Sequence, residues 1–234
     1  AFSTHKGSFD KGQPLNGAEA VLGAVGKSGG ALYALDDQLY GVANPIWAVD
    51  PSTGTFIPPS FDAPGSPLNN PFGLNLAYDG TYLYYNNGAF FGDGSIYKID
   101  PATGAVVLQV GTDFGYNYGD IAYLGGYIYA ADLDGYIDVY DAETLTYQGY
   151  FFAPGGMTGL AGDPDRGVLW GVAQGGPIFY EIDPISGTVL DTWSGVPDDL
   201  NEQDMAYVDG LLYVSDAGNF GDTTSQILRV YDPV

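Results

Sequence analysis

The chain has 234 residues, including 36 Gly, 20 Tyr and 15 Pro, and 45% of it is hydrophobic. Its formal net charge of -23 excludes a nucleic-acid-binding surface and disfavours anionic membranes, because both need clustered cationic side chains. With no Cys and a single His, His5, the sequence excludes disulfides, thiolate metal sites and His-ligated zinc or iron.

Residues 1–16 are polar and Gly-rich, and they precede the first repeat-like segment. We interpret them as an N-terminal tail, or as a strand donated to another copy of the chain. The first residue is Ala1 rather than Met, which fits an exported protein after signal removal. A secreted or cell-surface location is therefore predicted. No run of 18 apolar residues is present, so we predict no transmembrane segment.

A repeated motif of an apolar residue followed by Asp, usually with Pro next, organises the rest of the chain. The Asp residues lie 41 to 50 positions apart, which is the length of a four-stranded propeller blade. They are Asp50, Asp100, Asp141, Asp183 and Asp232. The spacing predicts an all-β fold over residues 17–234, a five-bladed β-propeller with four-stranded antiparallel blades.

A second motif, typified by Leu76-Ala77-Tyr78 before an Asp-Gly turn, precedes each Asp. It predicts inner strand a and strand b, joined by a tight hairpin. In the first blade it places these strands at residues 32–34 and 38–40. Residues 17–26 resemble the outer strand at 104–111, so we expect them to complete the last blade and close the ring.

Three segments carry a resemblance to a known family. Residues 200–213, which read LNEQDMAYVDGLLY, resemble the LNELEYVDGxIY signature of the five-bladed glutaminyl cyclases, also called glutamine cyclotransferases. Residues 72–107 resemble the first full blade of that family, and residues 139–145 resemble its VYDxxTL strand. The resemblance implies the same propeller fold, with an active site formed near the central channel.

The resemblance also implies a catalytic alternative at Asn201 and Glu202, which match the family signature. Elsewhere the acidic residues of the family are replaced. The GEGLT segment of the family corresponds to Tyr118-Gly119-Asp120-Ile121-Ala122, and its LYES segment ends here in Tyr85-Asn86. A pyroglutamate-forming acyltransferase is therefore an alternative hypothesis. On the favoured hypothesis of a non-catalytic protein, we assign no catalytic residue.

Acidic loops that lead into inner strands form the densest clusters of oxygen ligands. Carboxylate and carbonyl oxygens are the ligands that calcium prefers, so these loops are possible calcium sites, with a solvated acidic loop as the alternative. The candidate ligands are Asp198, Asp199, Glu202, Asp204, Asp113 and Asp120.

Two long connections between strands b and c, residues 86–95 and 215–225, mix aromatic, amide and carboxylate groups. Such groups bind carbohydrate or peptide by stacking and hydrogen bonding, although the rings would serve equally to cap neighbouring blades. The ligand-binding candidates are Asn86, Phe90, Phe91, Asp93, Phe220 and Asp222.

We therefore favour an extracellular, non-catalytic β-propeller that acts as a binding or structural module. Its expected partner is itself, through residues 1–16, or a cell-surface protein or glycan. The cyclase-like enzyme and a lectin-like carbohydrate-binding module are the alternatives.

Overall fold

The computed structural model describes residues 20–23, 32–36, 45–50, 55–65, 74–87, 94–111, 118–173, 178–195, 202–216 and 227–233. Every regular element within these ranges is a β-strand. None of the described residues forms a helix with the length and apolar character to cross a membrane.

The strands form five antiparallel sheets, each built from consecutive strands. The first sheet contains β1 (Ala20–Gly23), β2 (Leu32–Asp36), β3 (Pro45–Asp50) and β4 (Thr55–Asp62). The second contains β5 (Leu74–Tyr78), β6 (Leu83–Asn87), β7 (Ser95–Asp100) and β8 (Ala105–Gly111). The third contains β9 (Tyr118–Leu124), β10 (Tyr127–Asp132), β11 (Tyr136–Asp141) and β12 (Tyr147–Phe152). The fourth contains β13 (Met157–Asp163), β14 (Val168–Ala173), β15 (Ile178–Ile182) and β16 (Val189–Ser194). The fifth contains β17 (Glu202–Val208), β18 (Leu211–Asp216) and β19 (Ile227–Tyr231).

The first strand of each sheet packs against the first strands of the two neighbouring sheets. The contacts run from β1 to β5, β9, β13 and β17, and then from β17 back to β1. The five sheets are therefore the blades of a closed ring, with these strands innermost. The prediction of a five-bladed β-propeller is confirmed.

The prediction about ring closure is wrong in its details. Ala20–Gly23, from the segment expected to complete the last blade, pairs instead with β2, as in Leu22↔Ala34. It is the inner strand of the first blade, and Leu32–Asp36 is the second strand rather than the first. The outer-strand pattern at 17–26 was misleading because a short apolar run suits an inner strand equally well. The ring closes where β1 packs on β17.

One aromatic residue of the second strand is buried in each of the second to fifth blades. This residue occupies the same register of the second strand in all four blades and lies opposite a small residue of the inner strand. The four residues are Tyr84, Tyr129, Trp170 and Tyr213. All four are at most 8% exposed. The repeated aromatic position is thus explained by packing between blades, as the repeat predicted.

The Asp of the repeat motif shapes the turn between the third and outer strands. Its Oδ1 accepts a backbone N–H two residues later, as in Asp100 with Ala102 (2.9 Å) and Asp183 with Ile185 (2.8 Å). Backbone hydrogen bonds of this kind hold the pKa of Asp183 below its usual value. Much of the regularly spaced Asp therefore serves the fold, because an Asx turn satisfies backbone donors locally.

Candidate functional site

Three buried polar side chains occupy one register of the inner strands. They are Asn75, Asp120 and Asp204. Each lies two residues before the alanine of the inner strand that pairs with the buried aromatic residue of the second strand. They are 1%, 0% and 3% exposed. Buried polar groups need partners, so the contacts of these side chains determine what this part of the molecule does.

The carboxylate of Asp120 joins three blades. Its Oδ1 accepts the backbone N–H of Ile121 at 2.7 Å, within the third blade. Its Oδ2 accepts the N–H of Leu160 at 2.7 Å, from the fourth blade, and that of Met205 at 3.1 Å, from the fifth. A single side chain therefore ties together the inner strands β9, β13 and β17.

Burial controls the ionisation of this carboxyl. Removal from water raises the pKa of Asp120 well above its usual value, and the three backbone hydrogen bonds act in the opposite direction without cancelling the effect. The fold thus favours the neutral form of a side chain that lies at the centre of the ring.

The predicted calcium ligands are only partly described. Asp120 and Asp204 lie on the inner strands, and Glu202 begins β17, where its backbone is opposite Asp216. Asp113, Asp198 and Asp199, like the alternative catalytic residue Asn201, lie outside the described residues. Within the described ranges, no three His, Cys, Asp or Glu side chains come together as a metal site. Calcium binding stays a prediction.

Of the six predicted ligand-binding residues, Asn86 is the one that lies within the described residues. It is fully buried in β6, and its Nδ2 donates to the backbone oxygen of Ser95 at 3.4 Å. It therefore holds two strands of its own blade together, where the sequence placed it at the start of an exposed loop. The other five candidates, Phe90, Phe91, Asp93, Phe220 and Asp222, lie outside the described residues.

A cleft of about 340 Å³ opens at the joint between the second and third blades. Lys98 is buried in it, with its Nζ donating to the backbone oxygen of Ala142 at 2.9 Å. The ammonium also lies 4.6 Å from the ring centre of Tyr82. Its charge is therefore held between two blades, where a carbonyl and an aromatic face replace water.

Of the other two described basic residues, one is paired at the surface and one is buried. Arg166 pairs with Glu181 at 2.7 Å and lies 5.2 Å from the ring centre of Trp170. Arg229 is 8% exposed. The remaining basic residues, Lys6, Lys11 and Lys27, precede or lie outside the described strands. The described surface consequently offers acidic groups with no unpaired Lys or Arg among them.

The outer half of the third blade carries exposed aromatic rings on one face. Tyr136 lies opposite Phe152, and Asp138 lies opposite Tyr150, in the pairing of β11 with β12. A register shift after Val139 brings Tyr147 to the same face. We call this surface, formed by Tyr136, Tyr147, Tyr150 and Phe152, the aromatic face of the third blade.

Three rings of the aromatic face contact one another, and the fourth hydrogen-bonds to a buried carboxylate. The ring centre of Tyr136 is 5.5 Å from that of Tyr150 and 5.0 Å from that of Phe152. Tyr147 donates its hydroxyl to Asp138 at 3.4 Å. Even so, Tyr150 is 56% exposed and Phe152 is 66% exposed. Clustered exposed aromatic side chains are typical of interaction surfaces.

Burial and the nearby acid also affect the ionisation of this face. Desolvation comes first, and the charge and hydrogen bond of Asp138 add to it, in raising the pKa of Tyr147. The Tyr147 hydroxyl therefore remains a neutral hydrogen-bonding group at neutral pH.

Sequence reasoning overlooked this face, although a signal for it was present. Residues 147–152 read YQGYFF, and an outer strand that carries aromatic residues on its exposed side differs from the other outer strands. The corresponding strands β4, β8 and β16 carry mostly aliphatic or polar side chains. The bulge that brings Tyr147 to the face of Tyr150 and Phe152 was not readable from the pattern.

Comparison with known proteins identifies the fold of this chain but not its activity. No family model matches the chain, and no curated protein sequence matches it. Among solved structures, glutaminyl cyclase from Myxococcus xanthus superposes with a TM-score of 0.67 at 13% identity, covering 99% of this chain and 97% of that one. This chain is a five-bladed β-propeller distantly similar to a glutaminyl cyclase. Raptor from Chaetomium thermophilum gives a TM-score of 0.51 at 13% identity, covering 87% of this chain and 18% of the Raptor chain.

Proposed function

We propose that this chain is an extracellular, non-catalytic binding module, and that it binds a cationic segment of a partner protein through the aromatic face of the third blade. The observation that carries the proposal is the exposure of Tyr150 and Phe152 on a face where Tyr147 donates its hydroxyl to the buried carboxylate of Asp138. Aromatic faces attract Lys and Arg, and the negative charge of the whole chain adds to the attraction.

The charge of the whole chain supports a cationic partner over a neutral one. A net charge of -23 attracts cationic ligands over long distances and speeds their encounter. It has no such effect on an uncharged glycan. Lys98 is buried against the Ala142 carbonyl and Arg166 is paired with Glu181, so both of these cations already have partners.

The class of ligand is tested by titrating the protein with a labelled octa-arginine peptide at low and at physiological salt, with octa-glutamate as the control. Saturable binding of octa-arginine that persists at physiological salt is expected, because cation–π contacts are screened less than exposed ion pairs. Strong binding on a glycan array without peptide binding would favour the lectin-like alternative. Protease treatment of intact producing cells tests the extracellular location, and cleavage of the chain is the expected result.

Pyroglutamate formation is the second candidate function. It is supported by the full-length likeness to the Myxococcus glutaminyl cyclase and by Asn201-Glu202 at the entry to β17. The test is an assay on a peptide with an N-terminal glutamine. Product formation that disappears in Glu202→Gln would establish the enzyme, and no product in either protein is expected on the binding proposal.

A further inference from the structure

The cleft between the second and third blades contains a buried cation that the repeat does not explain. Lys98 lies on β7, opposite Tyr84 of β6. The residues at the same register of the other four blades are Ala48, Val139, Glu181 and Val230. Packing of the third strand therefore does not require a positive charge at this position. Where another blade carries a charge there, at Glu181, an ion pair with Arg166 neutralises it.

The ammonium group of Lys98 retains hydrogen-bond donors for a ligand. An ammonium group has three N–H donors, and here Nζ donates to the backbone oxygen of Ala142 at 2.9 Å. Among the described residues, it makes no other hydrogen bond and no ion pair. Lys98 is 7% exposed and lines the cleft. A buried ammonium that is only partly hydrogen-bonded favours a further acceptor inside the cleft, because unsatisfied donors of a buried charge are costly.

Two of the three carboxylates that line the cleft are available to a ligand. Oδ1 of Asp141 accepts the backbone N–H groups of Glu143 and Thr144, whereas Oδ2 accepts no hydrogen bond from the described residues. Hydrogen bonds from Thr144 come first, and the charge of Lys98 adds to them, in lowering the pKa of Asp141. The exposed side chain of Glu143 supplies a second carboxylate. The third, Asp79, already accepts three hydrogen bonds within its own blade.

The cleft has room for a small molecule. Its volume is about 340 Å³, and small-molecule sites in proteins usually measure roughly 300–1,000 Å³. The hairpin turn of the third blade, Gly125-Gly126, lines the cleft, and a Cβ added at either glycine would meet nothing within 4 Å. Tyr127 also lines it and is 41% exposed. A ligand can therefore enter from solvent and reach the ammonium of Lys98.

We propose that this cleft binds a small zwitterion of the α-amino acid class, with the ligand carboxylate on Lys98 and the ligand ammonium group on Asp141 and Glu143. An anion alone would face the carboxylates of the cleft, and a cation alone would face the ammonium of Lys98. A zwitterion matches both kinds of group, and a chain of net charge -23 does not repel it. The cleft and the aromatic face of the third blade share no residue, so this inference is independent of the binding function proposed above.

Isothermal titration calorimetry with three matched probes tests the class of ligand. L-Alanine carries both charged groups, propionate carries the carboxylate alone, and ethylamine carries the ammonium group alone. L-Alanine is expected to bind at least about tenfold more tightly than either of the other two, and glucose, as the uncharged control, should not bind. The proposal is overturned if L-alanine shows no binding up to about 50 mM, or if propionate, ethylamine or glucose binds as tightly.

Substitutions then locate the binding. Asp141→Asn keeps an oxygen for the backbone donors of its turn but removes the charge, and it should weaken L-alanine binding at least about tenfold. Asp183→Asn makes the same change in the equivalent turn of the fourth blade, where Oδ1 accepts the N–H of Ile185 at 2.8 Å, and it should leave the affinity unchanged. Lys98→Met should abolish binding, with circular dichroism to check folding. Equal affinities of the two Asp variants overturn the proposal, and this pair decides the matter if Lys98→Met does not fold.

Discussion

The carboxylate of Asp120 accepts the backbone N–H of Met205, with 3.1 Å between Oδ2 and N. The two residues lie on the inner strands of the third and fifth blades, which are not neighbours in the ring. The same oxygen accepts the N–H of Leu160 from the fourth blade. This arrangement gives a buried acidic side chain a structural role, because it accepts hydrogen bonds from backbone donors of three blades.

Asp120→Ala should destabilise the fold by about 3–5 kcal/mol, because it leaves buried backbone donors of three blades without an acceptor. Urea unfolding followed by circular dichroism measures the change. Asp191→Ala, on an exposed outer strand, is the control and should stay within about 0.5 kcal/mol. Equal effects of the two substitutions would show that the buried carboxylate contributes little.

The loss of unfolding free energy caused by Asp120→Asn should become smaller as the pH rises above about 4. Burial raises the pKa of Asp120 in the folded chain above its unfolded value, so the native state holds this proton more tightly. The stability that Asp120 contributes to the wild-type protein is therefore fully present below the pKa that this group has in the unfolded chain. That contribution is lost as the pH rises through the pKa that it has in the folded chain. Unfolding free energies of both proteins between about pH 4 and 8 test this. A cost that grows with pH would mean that the carboxylate is stabilised in its charged form.

Lys98→Met should destabilise the joint between the second and third blades by about 1–2 kcal/mol. It removes the charge-assisted hydrogen bond to the Ala142 oxygen, although the hydroxyl of Tyr84 lies 2.9 Å from the same oxygen. Met keeps the length and apolar character of the stem. Glu143→Gln alters one exposed charge at the same cleft and should have little effect. Thermal unfolding of the two variants measures the difference.

Gly162→Ala should cost more than about 3 kcal/mol, because a Cβ there would lie 2.1 Å from the backbone oxygen of Tyr123 in the neighbouring blade. Two inner strands would have to separate to admit it. Gly111→Ala is the matched control, since a Cβ at that position meets nothing within 4 Å. Chemical unfolding should separate the two variants clearly, and similar stabilities would mean that the blades adjust at little cost.

The repeat made the fold predictable, whereas the sites depended on contacts between distant residues. An Asp at intervals of 41 to 50 residues is a local signal, because each copy builds its own turn. The three blades joined by Asp120 involve residues 40 and 85 positions away, which no spacing rule brings together. Tyr147 joins the exposed face around Tyr150 only through a register shift, and a pattern with period two does not encode such a shift.

The most direct test of the proposed function compares two double variants in their affinity for the labelled octa-arginine peptide. Tyr150→Ala with Phe152→Ala removes the exposed rings, and Ile185→Ala with Leu190→Ala removes exposed apolar side chains from the fourth blade. Neither changes the net charge, so non-specific attraction is the same in both. The binding proposal predicts affinity about tenfold weaker for the first variant, and unchanged affinity for the second. Equal affinity of both variants and the wild type would contradict it.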